Sequence, residues 1–257
     1  MNIAVIGAGL SGLVVARACA ARGDSIRVFE AEPRAGGQLH TLREHGFVVE
    51  YGAEGFVAGS AVVPALAADL GISELLQEQR LNLSYGFDGS TLTELGPGEA
   101  ARFLGFQVKS EELGRGVRTF AGGMQTLSDA LVQRLPANVS LELGRRTTSL
   151  RAGGRELVLG FDNGPEIRCD AVVVATSAAH ASALLAAEFA APARALSDSE
   201  TLSSASVSLA FRQKDVAHPL EASGFVIAVD AQREGLRAGS ISSRKFEGRA
   251  PAGHVLV

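Results

Sequence analysis

The chain has 257 residues, of which 46% are apolar and 20% charged, with a formal net charge of −4. That length supplies a sizeable core and exceeds one average domain, so one large or two interleaved domains are expected. The mild acidity excludes a nucleic-acid or polyanion partner held by overall charge, and any anionic ligand needs a local positive site.

Residues 2 to 6 (NIAVI) are a short apolar run ended by glycine, which predicts a buried parallel strand, with Leu13 to Arg22 continuing as a helix. Ile26 to Glu30 predict the next strand. A Gly-rich crossing from Arg34 to Gly37 leads to an extended stretch from Gly46 to Gly52, and residues 62 to 79 read as helix. NLSYGF and TLTEL, joined by Asp88, Gly89 and Ser90, predict a hairpin, because turn chemistry separates two alternating strands. Residues 98 to 115 fit no single period.

The spacing of Met124, Leu127, Leu131 and Leu135 predicts a helix that Pro136 stops. VSLEL, RTTSL, ELVLGF and PEIRC predict strands, the last two joined by Asn163 and Gly164. Ala171 to Ala175 (AVVVA) predict a fully buried strand entering a helix near Ala179 to Glu188, followed by a crossover from Pro192 to Ser199. SVSLAF, GFVIAV, AGSIS and HVLV predict antiparallel sheet.

Cys19 and Cys169 lie far apart beside apolar runs, which fits reduced core thiols in a reducing cytoplasm better than a disulfide framework or a metal site. The apolar start lacks the basic n-region of a signal peptide. No run of about 18 apolar residues predicts a transmembrane helix. His40, His45, His180, His218 and His254 show no ligand spacing, so no metal site and no catalytic histidine are assigned.

Gly7, Gly9 and Gly12 stand where the first strand turns into the first helix, and Glu30 ends the second strand. In a dinucleotide loop the first glycine permits the tight turn and the second lets backbone approach a diphosphate. The third allows close helix packing, and the helix N-terminus supplies positive potential. Glu30 would accept hydrogen bonds from ribose hydroxyls.

The next segment, RAGGQLHT with Arg34, Gly36 and Gly37, resembles the second fingerprint of the amine oxidase and protoporphyrinogen oxidase flavoprotein superfamily. In that family the glycine pair lets backbone pass the diphosphate and ribityl chain of FAD, and the arginine caps the strip. GFVVEYGAEGF, residues 46 to 56, is similar to the family's Gly-Phe-x-x-Glu-x-Gly-Pro segment near the flavin ring, with Ala53 at the proline. FAGGMQTL, residues 120 to 127, resembles the Gly-Gly-Met/Leu-x-x-Leu segment that opens a helix before the adenine-contacting strands. Thr147 aligns with a position usually held by valine, whose main chain clasps adenine. DAVVVATSAAHASALL, residues 170 to 185, resembles the family's Asp-x-Val-Val-x-Ala-x-Pro run, with Ser177 at the proline.

The resemblance implies an α/β fold, in which a Rossmann-like, glutathione-reductase-like FAD-binding domain over residues 1–80 and 120–200 is interleaved with a mixed-sheet α+β substrate domain over 81–119 and 201–257. It implies FAD as cofactor, bound by Gly7, Ala8, Gly9, Leu10, Ser11, Gly12, Glu30, Ala31, Arg34, Gly36, Gly37, Gln38, Gly52, Ala53, Glu54, Thr147 and Ala175. FAGGMQTL and the segment 61 to 95 look most like a bacterial porphyrinogen oxidase, which implies a small-molecule porphyrinogen-like substrate losing hydride to flavin N5 in haem biosynthesis. Carotenoid desaturases and amine oxidases share most of these motifs and stay open as alternatives. Arg102, Arg115 and Arg118 are candidate partners of substrate propionates, because a guanidinium pairs bidentately with a carboxylate. A peripheral membrane contact and the oligomeric state also stay open.

Two departures stand beside the matches. The larger oxidases carry a long helical insertion where this chain has only residues 104 to 120, and family members close with a glycine-bearing segment that approaches the flavin ring, whereas this sequence ends at HVLV. On this reading the chain is C-terminally truncated, and a non-catalytic FAD- or ADP-binding remnant, or a partial subunit, is the alternative to an active oxidase.

Overall fold

In the computed structural model, which describes residues 1–96, 98–104, 116–232 and 235–257, the chain passes three times between two compact units. The first comprises Met1–Leu39 and Ser128–Ala205, the second His40–Leu127 and Ser206–Val257.

The first unit is built on a four-stranded parallel sheet. Strands β1 (Asn2–Ile6) and β2 (Ser25–Phe29) are its centre, flanked by β10 (Val139–Glu142) and β14 (Ala171–Val174) in the order β10-β2-β1-β14. Ala4, Val5, Ile6, Val28 and Phe29 are all buried, as expected of central strands covered on both faces. Helix α1 (Leu10–Ala20) crosses from β1 to β2 and buries Leu13, Ala16 and Ala20, one stripe at helical spacing. Its start at Leu10 is three residues earlier than the apolar pattern suggests, which places Gly12 inside the helix.

Beside this sheet lies an antiparallel one of β11 (Thr147–Gly153), β12 (Glu156–Phe161) and β13 (Ile167–Cys169). Leu150, Leu159, Ile167 and Cys169 on its buried face join Ala4, Ile6 and Phe29 in one core cluster. Helix α5 (Ala178–Leu185) is capped by the Ser177 hydroxyl, which accepts from His180 N, and α6 (Ala190–Ser197) follows.

In the second unit β3 (Thr41–Glu44) and β4 (Phe47–Glu50) form a hairpin across His45 and Gly46, whose φ values of 51° and 80° are those of a two-residue turn of type I′. Strands β5 (Phe56–Val57), β6 (Leu76–Glu78) and β9 (Val117–Phe120) form a sheet with β9 central. Another has the order β17-β16-β7-β8, from β7 (Ser84–Phe87), β8 (Leu92–Leu95), β16 (Gly224–Ile227) and β17 (Ala238–Ser240). β15 (Ala210–Arg212) pairs with β18 (His254–Leu256). Short helices α2 (Val62–Asp69), α3 (Glu99–Phe103) and α7 (Ser242–Lys245) connect these strands, and α4 (Gln125–Gln133) precedes β10.

The α/β class with a parallel Rossmann-like sheet holds. Several elements differ from the sequence expectation. The helix expected over 62 to 79 ends at Asp69, and Leu76–Glu78 is a strand paired with β9, because Gly71 takes a left-handed φ of 59° and stops the helix. Pro192 to Ser199 is mostly helix, since Pro192 is the third residue of α6, where no intrahelical N–H is needed. Ala171–Val174 is half-buried, because β14 is an outer strand of its sheet. The closing block is not one antiparallel sheet: β16 runs parallel to β7, and β15 with β18 stands apart. Residues 105–115 of the stretch that fits no single period lie outside the described residues.

Among the described residues no helix is long and apolar enough to cross a membrane, and no group of three or more His, Cys, Asp or Glu could hold a metal ion.

Candidate functional site

The loop between β1 and α1 is shaped by its lack of side chains. Gly7 has φ +101°, and a Cβ there would come 2.7 Å from Ala175 O. Its N–H donates to Phe29 O at 2.8 Å, tying the turn to the end of β2. Gly12, inside α1, faces back on Gly7, whose carbonyl oxygen would lie 1.9 Å from a Cβ. Gly9 is the N-cap of α1 and uses no side-chain cap, and no acidic residue stands in the first turn. The N-terminal N–H groups of Leu10, Ser11 and Gly12 therefore keep their positive potential for a ligand.

A second backbone strip lies alongside. Gly36 N donates to Ala8 O at 2.8 Å, and Gly9 and Gly36 form an isolated parallel bridge. A Cβ on Gly9 would come 4.0 Å from Gly37 Cα and one on Gly37 only 3.1 Å from Gly9 Cα, so the two glycine backbones pack directly against each other. Arg34 folds over this strip and donates from one guanidinium nitrogen to Gly37 O at 2.6 Å and from the other to Ala35 O and Leu39 O. Gly37 and Gln38 are exposed.

The Glu30 carboxylate, just beyond β2, accepts from Ala8 N at 2.8 Å and from Glu32 N at 3.0 Å. It locks the loop to the strand end while remaining half-exposed with Ala31. This cradle of bare backbone, unneutralised helix N-terminus and adjoining carboxylate fits the diphosphate and ribose of a dinucleotide. Ala175 extends β14 beside Gly7, its N–H donating to Ile6 O, and Thr147 opens β11 at a register shift opposite Phe161. Next to Thr147, Arg145 lies over the Phe161 ring at 4.0 Å and shares Glu142 with Arg27. Burial pushes the Glu142 carboxyl up, but the two guanidiniums outweigh this and hold it below its ordinary range.

The first unit thus gathers residues 7–12, 30, 31, 34, 36–38, 147 and 175 of the expected set. Gly52, Ala53 and Glu54 belong to the second unit. Gly52 and Ala53 are exposed in the turn after β4, whereas the Glu54 carboxylate is largely covered. It accepts from Ser240 Oγ at 3.0 Å, Ser242 Oγ at 2.6 Å and Lys245 Nζ at 2.7 Å. Burial raises its pKa, yet the Lys245 ammonium and these hydrogen bonds prevail and lower it overall.

Glu50, four residues earlier, is buried more deeply. Its Oε1 accepts from Met124 N and from an Arg249 guanidinium nitrogen at 2.8 Å, and its Oε2 from Thr41 Oγ1. The side chains of Arg249 and Glu50 are only 2% and 6% exposed, so their charges cancel where water cannot screen them. Lys245 and Arg249 escaped sequence reasoning, because they lie 191 and 199 residues from their partners and no local pattern announces the pairing.

The arginines proposed for substrate carboxylates are placed differently from one another. Arg118 is paired with Glu78 at 2.8 Å across β9 and β6, and exposed Arg102 lies 3.7 Å from Glu99 on α3. Arg115 lies outside the described residues.

Comparisons with known proteins agree with this geometry. Residues 5–70 match the model of an NAD(P)-binding Rossmann-like domain, and residues 79–257 match that of flavin containing amine oxidoreductases. A stretch of 76 residues, 30% of this chain and 15% of the relative, is 39% identical to protoporphyrinogen oxidase 2, chloroplastic/mitochondrial, of Arabidopsis thaliana. A stretch of 52 residues, 20% of this chain and 10% of the relative, is 40% identical to a 4,4'-diapophytoene desaturase of Staphylococcus aureus. The matched stretches therefore span well under two thirds of these curated relatives. Among solved structures, a protein provisionally assigned as a protoporphyrinogen oxidase, from Exiguobacterium sp. 255-15, superposes with a TM-score of 0.80 at 17% identity, covering 100% of this chain and 76% of that one. With its family model matched over residues 79–257 and the dinucleotide cradle preceding it, the chain belongs to the flavin-containing amine oxidoreductase family, whose cofactor here is FAD.

Proposed function

We propose that this chain holds FAD in an oxidoreductase that converts a porphyrinogen to a porphyrin. The observation that carries the FAD half is the bare strip where Gly9 meets Gly36 and Gly37 beside the α1 N-terminus, with Glu30 fastened to Ala8 N. Side chains at those glycines would fill the path of a diphosphate. Ala8 to Gly12 would hold that diphosphate, Glu30 and Ala31 the adenosine ribose, Arg34 with Gly36 to Gln38 the outer strip, Thr147 and Ala175 the adenine side, and Gly52 to Glu54 the ring side. When bound, FAD would supply a two-electron acceptor for hydride from a methylene bridge or ring carbon of the substrate, and three such oxidations, each followed by reoxidation of the flavin by dioxygen or another acceptor, would take a porphyrinogen to a porphyrin.

The chain's own residues then bind and orient, and no acid–base triad or metal is required of them. FAGGMQTL and the relative named as a protoporphyrinogen oxidase support the porphyrinogen reading. In functional terms we divide the chain into an FAD-binding part, 1–80 with 120–200, and a substrate part, 81–119 with 201–257. The setting is a reducing cytoplasm. The match to a diapophytoene desaturase favours a second reading, in which a polyene is the hydride donor.

The test is reconstitution of the purified protein with FAD, followed by anaerobic mixing with protoporphyrinogen, coproporphyrinogen or a desaturase polyene. Flavin absorbance near about 450 nm that bleaches with a porphyrinogen, and porphyrin fluorescence that rises once dioxygen is admitted to reoxidise the flavin through the three two-electron cycles the conversion needs, is the expected result. Bleaching by the polyene alone selects the second reading. Bound flavin that no donor bleaches leaves a cofactor-binding chain without catalysis, and failure to retain any flavin overturns the proposal.

A further inference from the structure

The turn Tyr51–Ala53 is exposed, yet it is fixed at both ends by charged groups from a distant part of the chain. On its N-terminal side, Glu50 is held by Arg249, Thr41 and Met124 N. On its C-terminal side, Glu54 is held by Lys245, Ser240 and Ser242. The two anchors are themselves joined: the other terminal nitrogen of Arg249 donates to Thr119 Oγ1 at 2.7 Å, and that hydroxyl donates to Glu54 O at 2.9 Å. Thr119 is fully buried on β9.

A carboxylate offers about four acceptor sites. At Glu54 one oxygen receives Ser242, the other Lys245, and the single Ser240 proton is shared between the two, so three donors already occupy the carboxylate. Glu50 spends its oxygens in the same way on three donors. Both carboxylates of the segment 46–56 are thereby occupied with the protein itself, while the backbone between them is turned to solvent. A short segment whose ends are fixed by buried charge pairs pays its ordering entropy on folding, not on ligand binding.

We propose that Lys245 and Arg249 are positioning residues for the flavin ring: through Glu54 and Glu50 they hold the Tyr51–Ala53 turn rigid, so that its main chain, and no carboxylate, meets the ring. This rests on the FAD reading above. It assigns Glu54 a positioning role behind the turn and leaves Gly52 and Ala53 as the contacting residues.

The test compares the native chain with Lys245→Met, Lys245→Arg and the milder Ser242→Ala. Backbone hydrogen exchange of a peptide spanning residues 48–58 is followed in the cofactor-free protein, and affinities for FAD and for ADP are titrated separately. The expected result is faster exchange in Lys245→Met, a smaller increase in Ser242→Ala, and near-native exchange in Lys245→Arg. FAD affinity should fall about tenfold in Lys245→Met with ADP affinity unchanged, since ADP uses only the glycine cradle. Unchanged exchange in variants that keep their native fold, or an equal loss of FAD and ADP affinity, overturns the proposal. A native chain that binds ADP but gains nothing from the flavin part overturns it as well, whereas a native chain that binds neither overturns the FAD reading itself. If Lys245→Met does not fold, Ser242→Ala decides by the same two readouts.

Discussion

A Cβ on Gly12 would stand 1.9 Å from the carbonyl oxygen of Gly7, so the first helix rests on the preceding turn with no room for even one methyl group. Gly12→Ala must displace backbone, and an overlap of this size belongs with the severe core lesions. The expected loss is above about 4 kcal/mol, with no flavin retained. Gly23→Ala is the comparison: Gly23 also has a left-handed φ, +87°, but a Cβ there meets nothing within 4 Å, so its cost is only about 1–2 kcal/mol. Urea unfolding of both variants, with flavin content at purification, checks the pair. Similar losses in the two would refute the close-packing account.

Glu30 holds the turn through Ala8 N and Glu32 N and is the proposed ribose acceptor. Hydrogen bonds to a charged acceptor contribute about 1.5–3 kcal/mol each. Glu30→Ala should therefore weaken FAD and ADP binding alike, by about tenfold to a hundredfold, in fluorescence-quench titrations. An effect on FAD without one on ADP would place Glu30 away from the adenosine half.

Removing Arg249 leaves Glu50 charged in a site that is almost sealed from water. Arg249→Met is expected to destabilise the protein by about 3–5 kcal/mol, the usual cost of breaking a buried pair from one side. The double variant Glu50→Met/Arg249→Met should lose less than the sum of the two single changes. Additive losses in denaturant unfolding would mean that the two side chains do not share their energy.

The lowered pKa of Glu54 gives a pH dependence of definite sign. A carboxyl whose folded pKa lies below its ordinary value of 4.5 stabilises the fold above that value, and the contribution is lost as the pH falls through the depressed folded value. Native protein should exceed Glu54→Gln in stability at pH 7, and the gap should close progressively below about pH 4.5. A gap that stays constant into acid would show that the carboxylate gains nothing from Lys245.

Local chemistry made the glycine loop readable: an apolar run, three glycines at set spacing and an acid at the next strand end each act within a few residues. The Asp88 turn was legible for the same reason, since its Oδ1 takes the N–H groups of Ser90 and Thr91. Leu76–Glu78 was not, because its partner β9 comes some forty residues later (Leu76 pairs with Phe120) and the apolar residues from 62 onward mimic helical spacing. Gly71 was the visible signal that the helix stops, and it carried more weight than the periodicity. At Pro192 the error was one of position, since proline breaks a helix interior but suits its first turn. Lys245 and Arg249 are ordinary surface residues by composition, and only the tertiary fold brings them against two carboxylates.

The parallel sheet has a further consequence for how the molecule comes into being. Asn2 N donates to the side chain of Asp170, 168 residues away, and β1 completes its pairing only with β14. At about 5–20 residues per second, a ribosome takes roughly ten seconds or more to deliver that strand after β1 has emerged. Through that interval the NIAVI segment carries an unpaired, apolar edge, the kind of surface on which nascent chains aggregate or recruit chaperones. High contact order of this kind slows folding, so β1 is among the last strands to gain its full set of partners.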